Sequence, residues 1–152
     1  MTRIAVAIAT AAIALAVALA VAGCGSSTPS MSRFRLEATR ICQPALARPE
    51  QIRAPALPSG TAAFLRRGTA ALEPELAELR ALRPPANASG SFSAALNAAA
   101  RELSILDGTI HELDRGADPL GVIKTLQRRL APTESAEDAA WRTLGIPACA
   151  VR

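Results

Sequence analysis

The chain contains no tyrosine, and only three phenylalanines and one tryptophan among its 152 residues. With Phe34, Phe64, Phe92 and Trp141 as its only aromatics, the interior must be built from leucine, isoleucine and alanine. That composition suits close-packed helices better than sheets. A nucleic-acid surface would want a basic patch interleaved with base-stacking aromatics, so the same scarcity argues against nucleic acid as a partner. Histidine is reduced to His111. A lone histidine with no neighbouring cysteine or second histidine is a poor metal site, so neither a metal nor a cofactor is expected. No Gly-x-Ser-x-Gly elbow, phosphate-binding glycine loop or His-Glu-x-x-His helix is present, and no catalytic residue is assigned. Strand-like alternation and internal repeats are missing too.

Charge is mixed rather than one-sided. Seventeen basic residues, of which Lys124 is the only lysine, stand against 13 acids for a formal charge of +4. They are scattered along the sequence among the acids, as on an ordinary solvated surface.

The N-terminus is the exception to this mixture. Met1-Thr2-Arg3 is short and positive, and residues 4–22 then run without a charge, with Thr10 the only polar side chain. A positive start, an apolar run and small residues before a cut are the marks of a signal peptide. The run is long enough for an uncleaved anchor to be the rival reading. Val21-Ala22-Gly23-Cys24 favours cleavage. Small residues suit a peptidase pocket, and the Cys24 thiol is the natural nucleophile for thioether attachment of a glyceryl lipid. These four positions resemble the bacterial lipobox. The resemblance implies cleavage between Gly23 and Cys24 and a diacylglyceryl-modified Cys24, because one acyl chain alone gives only marginal anchoring. The expected organisation is therefore a signal peptide at 1–23, a lipidated cysteine and flexible tether at 24–30, and a folded domain at 31–152. Removing 23 residues leaves 129, enough for one modest core.

Four helical segments are predicted in the folded domain. The first covers 31–48, capped by Ser30 or Ser32, with Phe34, Ala38, Ile41 and Ala45 on one face and Cys42 beside it. The second covers 61–82, with Leu65, Leu72, Leu76 and Leu79 along one side and Arg83-Pro84-Pro85 as its stop. In the third, Phe92, Leu96, Ala99, Leu103, Leu106, Ile110 and Leu113 form an unbroken a/d seam, with Ser89 or Ser91 as cap and Gly116 as stop. Ile105 falls outside that seam and implies either a wide apolar stripe or a covering partner. The fourth starts at Asp118-Pro119, carries Ile123, Leu126 and Leu130, and ends at Gly145-Ile146-Pro147. Its second part should bury Ala136, Ala140 and Leu144, and residues 148–152 should form an irregular tail. Interior prolines cost about 3 kcal/mol, so kinks or splits are expected at Pro44, Pro74 and Pro132. Short connectors demand neighbours that run in opposite directions. The fold class expected is all-α, an antiparallel four-helix bundle.

Two thiols remain once Cys24 is set aside. In an exported protein an even pair, Cys42 and Cys149, invites a disulfide. It would close a loop of 107 positions, worth roughly 4–5 kcal/mol in the chain-entropy model. A metal pair or redox dithiol is the other use, although redox pairs usually lie close together in sequence.

The order of these parts resembles the small helical lipoproteins of actinobacteria and related high-GC bacteria. The matching parts are the lipobox, Cys42 in the first helix, Leu79-Arg80-Ala81-Leu82-Arg83-Pro84-Pro85, and Leu144-Gly145-Ile146-Pro147-Ala148-Cys149. The resemblance implies a helical bundle with a terminal disulfide, and it transfers no activity. His111 sits off the seam, four residues from Asp107 and from Arg115, as expected of a wet face. Glu73, Glu75 and Glu78 around Pro74 read as a solvated acidic face. The expected function is a non-catalytic envelope interaction protein, lipid-anchored at the extracytoplasmic face of the cell membrane. Its partner would be another envelope protein. A helical module that holds a small apolar or lipid ligand for transport or sensing is the alternative.

Overall fold

The structure, a computed structural model, describes residues 29–46 and 52–150. Four α-helices make up the folded part: α1 (Met31–Leu46), α2 (Thr61–Ala81), α3 (Ser89–Asp114) and α4 (Pro119–Leu144). Single 3-10 turns precede α2 at Pro58–Gly60, precede α3 at Ala86–Ala88, and follow α4 at Pro147–Cys149. No strand occurs among the described residues.

Local chemistry sets most of the boundaries. Ser30 caps α1, its hydroxyl accepting from the Arg33 amide at 3.3 Å. Asp118 caps α4 by accepting from the Gly121 amide at 2.8 Å, with Pro119 in the first turn, where its missing N–H is harmless. Gly145 ends α4 in the left-handed region, at φ 70°, where a side chain would be strained. The start of α3 differs from expectation. Ala88 occupies the cap position, and the Ser89 hydroxyl instead donates to the Ala86 carbonyl of the preceding 3-10 turn.

The expected splits do not occur. α1, α2 and α4 run through Pro44, Pro74 and Pro132 as single helices. All three prolines are exposed, and so are Arg40, Ala70 and Arg128, the residues four positions earlier. Each proline deprives one of those carbonyls of its helical donor, and on an exposed face water can take that place.

Two apolar clusters hold the helices together. The first joins all four helices and the last turn through Phe34, Ala38, Cys42, Leu79, Ala88, Phe92, Ala95, Ala140, Trp141, Leu144, Ile146 and Cys149. Phe92 is its hinge, with Phe34 edge-on at 5.0 Å between centroids and Trp141 at 6.1 Å. Such pairs add about 0.5–1.5 kcal/mol beyond burial. The second consists of Leu65, Ile110 and Leu126, flanked by half-buried Phe64, Ile105, Leu106, Leu113, Ile123 and Leu130. Ile105 is therefore part of a wide apolar stripe.

The contacts also define two ends. At one, the start of α1 meets the end of α2 around Ser30, Arg33, Leu82 and Arg83. Arg35 there donates to the Leu144 carbonyl at the end of α4, 2.6 Å away. At the other end, Arg66 near the start of α2 pairs with Asp114 at the end of α3, and Arg129 of α4 reaches Glu112 at 3.6 Å.

Candidate functional site

Cys24 and Gly23, the residues assigned to lipidation and cleavage, lie outside the described residues, as does most of the tether. Among the described residues no helix is long and apolar enough to cross a membrane.

Cys42 and Cys149 lie within bonding distance, with an S–S separation of 1.99 Å and 5.1 Å between their α-carbons. Cys42 sits in α1 three turns after its cap. Cys149 arrives opposite it because Gly145 turns the chain back and Pro147–Cys149 winds once more. The expected irregular tail is thus ordered up to this bond, with Ile146 and Cys149 both buried. Residues 151–152 lie outside the described part.

The acidic cluster around Pro74 does not behave as one face. Glu73 and Glu78 are exposed, but Glu75 is only 2 % exposed and both its carboxylate oxygens are shut off from solvent. On a helix, Glu75 points the same way as Leu72 and Leu79, three and four residues away. The sequence reading of a solvated triplet is therefore wrong for Glu75.

A second buried acid went unnoticed. Glu137 is 3 % exposed and accepts a hydrogen bond from the indole N–H of Trp141 at 2.9 Å. Four-residue spacing brings the two together on the inner face of α4. Ala136, expected in the core, is exposed instead, because Thr133, Glu137, Ala140, Trp141 and Leu144 make up the buried stripe. The spacing Glu137–Trp141 was the available signal, since a buried indole needs an acceptor.

Grooves open at three places among the described residues. One is lined by Glu102, Glu134, Glu137, Asp138, Cys149 and Ala150, beside the disulfide. A second lies between α2 and α3, among Glu73, Leu76, Arg80, Leu103 and Asp107. The third lies beside the first described residues, lined by Pro29, Ser30, Arg33, Glu37, Ala81, Leu82 and Arg83. None of the three includes His111, which is exposed on α3. Glu73 lines the second of these grooves, apart from His111. No group of three histidine, cysteine or acidic side chains suited to a metal ion occurs among the described residues.

No protein family, curated protein or solved structure matches the chain.

Proposed function

We propose that the protein is a bacterial lipoprotein of the extracytoplasmic membrane face, anchored through acylated Cys24, whose helical domain acts by binding another envelope component rather than by catalysis. The observation that carries this reading is the order Val21-Ala22-Gly23-Cys24, a polar segment to Ser30, and then α1 from Met31. An apolar leader, a lipobox and a short tether deliver the chain directly into a folded domain. The domain is best described as an antiparallel up-and-down bundle. Supporting that description, the start of α1 lies against the end of α2, and the start of α2 lies against the end of α3. The resemblance to small actinobacterial lipoproteins points the same way.

Binding of a macromolecular partner rather than of a small apolar ligand is favoured by the character of these grooves and of the surface. Each groove carries charged side chains, whereas a carrier of apolar molecules would need a cavity lined by leucine and alanine. Large apolar side chains lie outside instead: Leu36, Leu57 and Leu120 are 62 %, 69 % and 71 % exposed.

The anchor is tested by feeding a palmitate analogue to a bacterial host that expresses the full chain. Wild-type protein should take up the label and partition with membranes. Cys24→Ala should take up none; label retained by that variant would end the lipoprotein reading. Crosslinking on intact cells should then recover a stoichiometric envelope partner, and a protein found only as an uncrosslinked monomer would contradict the interaction role.

A further inference from the structure

Folding sorts the arginines that are scattered in the sequence. No acid occurs before Glu37, between Glu78 and Glu102, or after Asp138. Those three acid-free stretches contain the start of α1, the α2–α3 connection with the start of α3, and the end of α4. All three meet at one end of the domain. Arg33, Arg35, Arg83 and Arg142 project there. Arg35 is committed to the Leu144 carbonyl, and Arg142 reaches back to Asp138 at 3.7 Å. Arg83 has no hydrogen-bond or ion-pair partner among the described residues, and Arg33 shares one nitrogen with Glu37 at 2.9 Å. Both line the groove that opens beside Pro29 and Ser30. At the opposite end Asp107, Glu112, Asp114 and Asp118 are mixed with the basic residues, and Arg66–Asp114 and Arg129–Glu112 pairs form.

We propose that this groove, through Arg33 and Arg83, binds the phosphate headgroups of anionic lipids in the membrane to which the protein is tethered. The position of the groove rests on the anchoring of Cys24, and its chemistry does not. Pro29 is five positions from Cys24, so it stays within about 17 Å of the acylated residue. The headgroup layer is about 5–7 Å deep on each face of a bilayer. The tether therefore keeps the groove at or just above the phosphates, near the Debye length of about 10 Å over which surface charge acts. Guanidinium groups match phosphate oxygens in a planar, two-toothed geometry that lysine lacks. Such contacts would turn the arginine-bearing end toward the bilayer and present the opposite end, with exposed Leu57 and Leu120, to the envelope.

The test omits the anchor, so its outcome is independent of lipidation. All four helices, both apolar clusters and the disulfide lie within residues 29–150, so the chain from position 24 carrying Cys24→Ser retains the whole fold. Its sedimentation is measured with vesicles of phosphatidylcholine, with and without a third of phosphatidylglycerol, at low salt. The protein should bind the anionic vesicles and not the neutral ones. Arg83→Ala should lower the partition coefficient about fivefold, the effect of one basic residue at an anionic surface. Glu37→Gln, which removes the acid lining the groove, should raise it on anionic vesicles alone, whereas misfolded protein would also pellet with neutral vesicles or with none. Arg128→Ala on the outer face of α4 should leave it unchanged. Equal binding to neutral vesicles, or an Arg128→Ala loss as large as that of Arg83→Ala, would overturn the proposal. So would competition by inorganic phosphate at constant ionic strength, which would point to a soluble anion. Concentration-dependent dimers lost on Arg83→Ala would equally overturn it in favour of a second copy.

Discussion

The two apolar clusters are built on different plans. Around the disulfide, Phe34, Trp141, Leu79, Leu144 and Ile146 are all essentially inaccessible, and all four helices contribute. At the far end, Leu65, Ile110 and Leu126 are the only fully buried members, and their six neighbours are half exposed. The first cluster is closed by a covalent bond and by a buried indole–carboxylate pair. The second is closed by surface ion pairs, each worth about 0–1 kcal/mol. Burial of this kind contributes about 1.5–3 kcal/mol per large side chain, and more when the site cannot collapse. Stability should therefore be graded along the molecule, high at the disulfide end and low away from it.

The sharpest test of that gradient is a matched pair of truncations. Trp141→Ala should cost about 3–5 kcal/mol in urea unfolding, since it opens a cavity against Phe92 and leaves Glu137 buried without its indole donor. Leu126→Ala should cost less, about 2–3 kcal/mol, because half-exposed neighbours can settle into the space. Equal costs would erase the distinction. Next in size is the double change Cys42→Ser with Cys149→Ser, which should lower stability by about 2–4 kcal/mol. Amide exchange should then accelerate most in α1, which otherwise contacts the rest chiefly through this region. Acceleration spread evenly over α2–α4 would show that the bond stabilises the molecule as a whole and not one end. The smallest effect is local. Asp118→Ala should remove about 1 kcal/mol by leaving the first amides of α4 uncapped, with its exchange confined to that helix's opening turn.

How much of this could be read beforehand depends on the kind of information each residue carries. The α3 seam was legible only in part: the three-or-four spacing gave the helix, and Phe92, Ala99 and Ile110 are buried, but Leu96, Leu103, Leu106 and Leu113 are half-buried while Ala95, Ala98 and Thr109 beside them face the core. Asp118-Pro119 and Gly145 were legible because each solves a backbone problem that is the same in every protein. Continuity through Pro44, Pro74 and Pro132 was not, since it depends on which side of the helix faces water, a tertiary fact. The inward turn of Glu75 and Glu137 was hidden for a related reason. Both sit among other acids, Glu73 and Glu78 in one case, Glu134 and Asp138 in the other, and composition cannot say which member of a charged run faces the core. The gathering of Arg33 and Arg83 was invisible because fifty positions separate them.

The Cys42–Cys149 bond has a mechanical consequence. If the domain is tethered at its N-terminus and something pulls on its last residues, the load enters through the start of α1. It travels along that helix to Cys42 and crosses the sulfurs to Cys149. The 107-position loop between them, with α2, α3 and α4, lies outside the path of tension. Only the short run of α1 before Cys42 can be drawn out. The bond thus behaves as a strain-relief clip, letting most of the bundle keep its shape while force passes beside it.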